Sequence, residues 1–183
     1  MSFFRRSGGH IVLAILACLS LAISIYLTVV HYNSAVPVVC SASGLINCEN
    51  VLTSSYSVVP GTALPVSIPG ILWSVVALAL PLAVLKFGPE VRQLRIAELV
   101  WGLFGLLTVL YLVYAEIVQI RNICAWCTGV HVIVVFYLLL SVILLQEPVV
   151  DAEEAIYEDE TSDGLTAPPY GQASPNRHAP SRR

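Results

Sequence analysis

The sequence predicts an all-α integral membrane protein: a bundle of four transmembrane helices with an outer loop and a disordered C-terminal tail. Of its 183 residues, 57% are apolar and only 11% are charged, and the mean hydropathy is +0.80. Soluble domains carry roughly 45–50% apolar and about 25% charged residues. A chain of 19.8 kDa cannot hide this apolar excess inside a globule, so we expect its chemistry in or near a membrane. The net charge of −3 gives no general attraction to nucleic acid.

Four uncharged apolar runs approach or exceed the length of about 20 residues that a spanning helix needs. The predicted spans are about 11–31, 68–86, 96–119 and 124–146. Residues 11–146 therefore form the predicted membrane domain, after a short N-terminal segment, and residues 32–67 form its outer loop. The first run is longer than the roughly 7–15 residues of a signal-peptide core, and no convincing cleavage site follows it. We interpret it as a retained helix.

Polar residues within the spans are few. Ser20, Ser24 and Thr28 recur every fourth residue on one face of the first span, which favours close packing against another helix. Glu98 and Glu116 flank the third apolar run, and we expect them at the two membrane interfaces.

Basic residues predict the orientation, because Lys and Arg are retained on the cytoplasmic side. Two precede the first span and three lie in the link between the second and third spans: Arg5, Arg6, Lys86, Arg92 and Arg95. The outer loop has no Lys or Arg. We therefore expect a multi-pass protein of the cell membrane, with residues 1–10 and the C-terminus in the cytoplasm and the cysteine pairs on the extracytoplasmic side.

The composition changes abruptly after Gln146. Eight acidic residues fall between positions 147 and 163, and a stretch rich in Pro, Ser, Gly and Arg follows. Such a segment cannot bury enough apolar surface to order itself. Residues 147–183 are therefore predicted to be a disordered cytoplasmic tail, with docking of a partner as the alternative.

Four of the five cysteines form two close pairs on the predicted outer side. Cys124 and Cys127 form a C-x-x-C at the start of the fourth span, where the sulfur atoms share one helix face. A helix N-terminus stabilises a thiolate and lowers the thiol pKa, which favours reversible redox chemistry. A structural disulfide or half of a zinc site are the alternatives.

Cys40 and Cys48 lie in a part of the outer loop rich in small residues. A mobile dithiol beside a helix-mounted one can pass on a disulfide through a mixed disulfide. A simple loop staple is the alternative. Two pairs on one side of one membrane protein favour the relay, whereas Cys18 is unpaired and is interpreted as a packing residue.

Electrons that reach the C-x-x-C need an acceptor, and the sequence carries no haem, flavin or iron–sulfur signature. A lipid-soluble quinone needs an apolar cleft and one or two polar groups for its carbonyl oxygens. His131 lies one turn after Cys127 on the same face and can hydrogen-bond such a carbonyl. A hydrogen bond to a neighbouring helix is the other interpretation of this histidine.

Three segments together resemble the vitamin K epoxide reductase family, in particular its bacterial members. They are the loop pair followed by Cys48-Glu-Asn-Val-Leu-Thr-Ser54, the entry Leu64-Pro-Val-Ser-Ile-Pro-Gly70 to the second span, and YLVYAEIVQIRNICAWC from Tyr111 to Cys127. The resemblance covers about residues 10–146. It implies a four-helix bundle around a quinone, menaquinone or ubiquinone, partly capped by a short helix in the outer loop, with no metal.

The resemblance also implies roles for individual residues. Cys40 would exchange with a thioredoxin-like partner, Cys48 would pass electrons to Cys124, and Cys127 would reduce the quinone. Ser54 falls where the family keeps a serine beside the loop helix, and His131 falls where vertebrate members have a tyrosine at the quinone oxygen. The quinone-binding residues that the resemblance implies are therefore His131, Cys127 and Ser54. Val66 replaces an asparagine that binds the other ketone in vertebrate members.

These observations predict a membrane thiol:quinone oxidoreductase that supports disulfide formation in exported proteins. Many bacterial relatives carry a fused thioredoxin-like domain, which these 183 residues do not contain, so we expect a separate extracytoplasmic partner. A vitamin K epoxide or quinone reductase is the alternative enzyme. A tetraspan structural protein stapled by disulfides is the alternative of another class.

Overall fold

A computed structural model describes residues 2–33, 35–40, 44–88 and 92–146, with side chains from residue 8 onward. The predicted tail, residues 147–183, lies outside the described residues. The helices are α1 (Ser2–Tyr32), α2 (Cys48–Leu52), α3 (Ser67–Phe87), α4 (Arg92–Tyr114) and α5 (Ala125–Gln146). A 3-10 turn, Ser55–Ser57, follows α2, and a π-helical segment, Ala115–Ile120, extends α4.

Four helices are long and apolar enough to cross a membrane, which confirms the predicted fold class. They are Gly8–Tyr32, Ser67–Phe87, Arg92–Ile120 and Ala125–Gln146. Only 22–28% of the most apolar window of each is buried inside the bundle, so the outward faces present large apolar side chains such as Leu19, Leu72 and Phe136. So much exposed apolar surface indicates a membrane rather than water as the surroundings. The chain is a multi-pass membrane protein.

The small polar face of α1 packs on α3, as predicted. The hydroxyl oxygens of Ser20 and Ser74 lie 2.9 Å apart, and Thr28 Oγ1 donates to Ser67 Oγ at 2.8 Å. Small residues allow close approach of helices in a bilayer, and hydroxyl groups bond across the interface. This face therefore joins α1 to α3.

An aromatic cluster joins α3, α4 and α5. Trp73 Nε1 donates to the carbonyl oxygen of Trp101 at 3.2 Å, and Trp101 Nε1 donates to that of Trp73 at 3.0 Å. The rings of Trp73 and Tyr137 meet edge to face at 5.6 Å, and the Tyr137 hydroxyl donates to the Ala77 carbonyl. Buried aromatic N–H and O–H groups need such partners, so these bonds hold the rings in one orientation.

Two charged residues are buried among the packed helices. Arg95 is in α4 rather than in the link before it, and Glu98 lies less than one helical turn further along α4. The Arg95 guanidinium donates to the Leu144 carbonyl in the last turn of α5, where helix carbonyls lack intrahelical partners. Glu98 Oε1 lies 3.2 Å from His10 Nδ1 on α1. Both charges tolerate burial because the packed helices supply polar partners.

Candidate functional site

A parallel backbone bridge joins the outer loop to the segment before α5. It pairs Ile46 with Ile123. The Ile123 amide donates to the carbonyl of the residue before Ile46 at 2.9 Å, and the residue after Ile46 donates back to the Ile123 carbonyl at 3.1 Å. Cys48 follows the bridge on one side and Cys124 on the other. The bridge therefore brings these two cysteines to the same end of the bundle.

The structure brings together all four cysteines that the sequence predicts as site residues. Cys48 and Cys124 are 1% and 0% exposed and belong to one buried cluster, against which Cys40 and Cys127 pack. Cys40 and Cys48 form a disulfide with their Cα atoms 6.1 Å apart, whereas Cys124 and Cys127 are free thiols. Cys18, which we interpreted as a packing residue, is instead exposed on the surface of α1 and lies apart from the other cysteines along that helix.

Local hydrogen bonds form the short loop helix that the family resemblance implies. The Asn47 side chain caps α2 by accepting from the amide of Asn50 at 3.1 Å, as N-cap residues do. Ser54, the predicted site serine, follows α2. Its hydroxyl donates to the Val51 carbonyl at 2.7 Å, and its own carbonyl accepts from Ser57 Oγ at 2.8 Å. Ser54 therefore holds together the end of α2 and the 3-10 turn.

Cys124 precedes α5 directly and occupies its N-cap position. The Cys127 backbone N–H donates to Cys124 Sγ at 3.4 Å, and the Cys124 carbonyl accepts the first helical hydrogen bond from Thr128. A hydrogen bond from the Cys127 side chain, opposed by burial, lowers the pKa of the Cys124 thiol. The geometry therefore favours a thiolate at Cys124, as expected for a thiol at a helix N-terminus.

Trp126, between the two helix cysteines, holds the loop segment that leads to Cys40. Its Nε1 donates to the Val39 carbonyl at 2.8 Å, and the Val39 amide donates to the Tyr26 hydroxyl at 3.1 Å. The Tyr26 and Trp126 rings pack with their centroids 5.0 Å apart. The residue before Cys40 is thus held from both sides by α1 and α5.

Glu116 is a site residue that the sequence analysis missed. We expected it at the membrane interface, but it is only 6% exposed. Its carboxyl group lies beside the Cys124 backbone N–H and the Cys127 side chain. An acid eight residues before a C-x-x-C was the available sequence signal. Its burial could not be predicted, because the π-helical turn between Glu116 and Cys124 appears only in the structure.

A mainly apolar cavity of about 310 Å³ opens between the helices beside Cys127. This volume lies at the lower end of the range of about 300–1,000 Å³ for small-molecule sites. Cys127 and His131 line it together, which agrees with their predicted common face. The hydroxyl-bearing residues of the lining are Ser24, Ser57, Ser67, Thr108 and Tyr111.

The residues that line the cavity include some of the other predicted positions and exclude others. Val66 lies in it, and so does Ser57. Ser54, which we expected to bind the quinone, is not among the described residues that form the lining. His131 is 7% exposed. Among the described residues, no group of three or more His, Cys, Asp or Glu side chains could hold a metal ion.

Comparison with known proteins places this arrangement in a family. The model of the vitamin K epoxide reductase family matches residues 11–142. The match includes both cysteine pairs and His131. No curated protein matches the chain.

Proposed function

The chain belongs to the vitamin K epoxide reductase family, and we propose that it is a membrane thiol:quinone oxidoreductase. Family membership implies membrane redox activity carried by cysteines. In our proposal the chain reoxidises a separate thioredoxin-like protein outside the cell membrane and passes the electrons to a quinone. It would thereby support disulfide formation in exported proteins.

One observation carries the proposal: a buried cluster of two cysteine pairs adjoins an apolar cavity through Cys127. Cys48 and Cys124 share the cluster, and Cys127 reaches both the cluster and the cavity. Thiol–disulfide exchange requires direct attack of one sulfur on another, so a continuous set of sulfurs is the arrangement that a relay needs.

The cysteines act in order from the outside inward. The partner dithiol reduces the Cys40–Cys48 disulfide through a mixed disulfide with Cys40. Cys48 then attacks Cys124 of the oxidised C-x-x-C and releases Cys127. Cys40 attacks Cys48, re-forms the loop disulfide and leaves Cys124 and Cys127 as thiols. These thiols finally lose two electrons and two protons and close their disulfide again.

The cavity suits the head of a quinone, menaquinone or ubiquinone. It is lined mainly by apolar side chains and contains the imidazole of His131 and the hydroxyl group of Ser67, which can donate to carbonyl oxygens. The bound quinone would supply the capacity to accept two electrons. Val66 offers no donor, so we assign the second carbonyl to a hydroxyl group. Ser54 would support the site by holding the loop helix.

The charge pattern supports the orientation of the relay. The cysteines lie at the end of the bundle where α1 ends and α5 begins. Lys86 lies in the last turn of α3 and Arg92 begins α4, so both basic residues lie at the helix ends opposite to those that adjoin the cysteine segments. Because basic flanks are retained in the cytoplasm, we place the cysteine end outside, both termini inside, and the membrane domain at 11–146.

The test uses the purified full chain in lipid nanodiscs, with dithiothreitol as donor and either menaquinone or ubiquinone as acceptor. We expect quinone reduction by the wild type and by Cys18→Ala, and none by Cys127→Ala. Cys40→Ala, oxidised with a soluble disulfide in the absence of dithiothreitol, should accumulate a Cys48–Cys124 disulfide, because the thiol that resolves it is missing. Mass spectrometry without reduction detects this disulfide. A wild type that reduces neither quinone would refute the proposed function, and absence of the trapped disulfide would refute the relay order.

A further inference from the structure

Glu116 is a buried carboxylic acid in contact with both helix cysteines. Its carboxyl group lies beside the backbone N–H of Cys124 and the side chain of Cys127, and Ile120 of the same π-helical segment packs against the cysteine cluster. During the relay Cys127 must gain a proton when it is released and lose one when it is reoxidised. A buried carboxyl group beside such an atom is placed for general acid–base catalysis.

The backbone around Glu116 holds the acid at this position. Ala115–Ile120 form a π-helix, a rare geometry that is frequent at functional sites. The segment ends at Arg121, whose φ of 58° lies in the left-handed region. The amides of Arg121 and Asn122 both donate to the Glu116 carbonyl. The turn that leads from α4 to Cys124 is therefore anchored on Glu116 itself.

We propose that Glu116 is a catalytic residue that moves a proton to and from Cys127, an inference that rests on the proposed function. When Cys48 attacks Cys124, the Cys124–Cys127 bond breaks and the Glu116 carboxylic acid gives its proton to the Cys127 sulfur. When the pair is reoxidised, the Cys127 S–H bond breaks, the carboxylate takes the proton back, and the S–S bond re-forms. Glu116 is thus protonated in the disulfide form and ionised in the dithiol form.

Electrons and protons balance over one turnover. The electron pair from the partner dithiol opens the Cys124–Cys127 disulfide, and reoxidation sends two electrons to the quinone. Two protons leave the donor thiols and two are taken up as the quinone becomes a hydroquinone. Glu116 ends in its starting state, so it changes the rate and not the stoichiometry.

The first test compares Glu116→Gln with Glu49→Gln in the full chain in nanodiscs, with dithiothreitol and menaquinone. Glutamine keeps an oxygen that can accept from the Cys124 amide, but it cannot transfer a proton. We expect Glu116→Gln to lose activity on the order of 10²-fold with unchanged helix content by circular dichroism. Glu49 is an exposed acid on α2, and its variant should match the wild type. Wild-type activity of a folded Glu116→Gln would overturn the proposal.

A second measurement needs neither a variant nor a quinone. The wild type is reduced with dithiothreitol or oxidised with a soluble disulfide, and the infrared difference spectrum is recorded with and without isotope-labelled glutamate. We expect a protonated glutamate carboxyl band in the disulfide form that disappears in the dithiol form. An unchanged glutamate spectrum would overturn the role of Glu116 even if Glu116→Gln failed to fold. A wild type inactive with quinones but showing the band would refute the proposed function alone.

Discussion

The fit between α3 and α4 requires a residue without a side chain at Gly105. A Cβ atom added there would lie 2.6 Å from Nε1, 2.8 Å from Cε2 and 2.9 Å from Cζ2 of the Trp73 ring. The ring cannot turn away freely, because hydrogen bonds with Trp101 and the edge contact with Tyr137 hold it. Gly105→Ala should therefore separate α3 from α4 or push the indole into the cavity, which Gly105 and Trp73 both line.

The expected magnitude follows from two opposing effects. Alanine is favoured over glycine inside a helix by roughly 0.5–1 kcal/mol, whereas overpacking a well-packed interior costs about 1–3 kcal/mol. Gly129→Ala in α5 is the matched control, since its Cβ would meet Ile23 Cδ1 at 3.8 Å, an ordinary contact. The helix term is common to both variants. Gly105→Ala should therefore be less stable than Gly129→Ala by about 1–3 kcal/mol.

The assay is reversible unfolding of the full chain in mixed micelles by a denaturing detergent, followed by circular dichroism. The KM for the quinone gives a second readout, and we expect it to rise for Gly105→Ala and to stay at the wild-type value for Gly129→Ala. Equal free energies of unfolding for the two variants would refute the packing argument. Unequal stabilities with an unchanged KM would show that the helices separate rather than that the indole enters the cavity.

Three further predictions concern the cysteine site. His131→Ala should raise the KM for the quinone about fivefold, the effect of one hydrogen bond of about 1 kcal/mol. Reduction of the loop disulfide by dithiothreitol should stay unchanged, and slower loop reduction would contradict the assignment. Trp126→Phe removes the donor to the Val39 carbonyl, a hydrogen bond that is also worth about 1 kcal/mol. Amide hydrogen exchange of the loop segment that ends at Val39 should therefore become about fivefold faster than in the wild type. Exchange at the wild-type rate would show that this bond does not hold the loop. Because the pKa of Cys124 is lowered by the hydrogen bond from Cys127, its thiolate absorbance in the reduced protein should persist below the ordinary thiol value of about 8.5 and fade only as the pH drops further. Cys127→Ala should move that midpoint upward, and an unmoved midpoint would refute the cause.

The features predicted correctly from the sequence are those that depend on neighbours along the chain. A spanning helix needs about 20 consecutive apolar residues. The four spans could therefore be predicted from the sequence without knowledge of their contacts. The common face of Cys127 and His131 follows from four residues being close to one helical turn. The polar stripe of α1 was readable for the same reason.

The residues whose burial was not predicted are charged groups with partners on other elements. Arg95 and Glu98 looked interfacial because lone charges are costly in a membrane, yet a carbonyl of α5 and His10 on α1 make their burial tolerable. Glu116 was missed because a regular α-helix would not anchor the turn that presents it to Cys124. The residue pattern within one segment cannot predict partners that lie on other segments.

The sequence by itself determined the membrane class, the four spans and the separation of the cysteines into two pairs and a bystander, because composition and helical spacing are local properties. Only the tertiary structure decided that Cys48 lies with Cys124, that Val39 is held by Trp126, and that Glu116 contacts both helix cysteines. These contacts depend on one backbone bridge and one π-helical turn, which bring together residues that are remote along the chain. Sulfur chemistry requires contact between atoms, so the relay and its proton carrier exist only once the chain is folded.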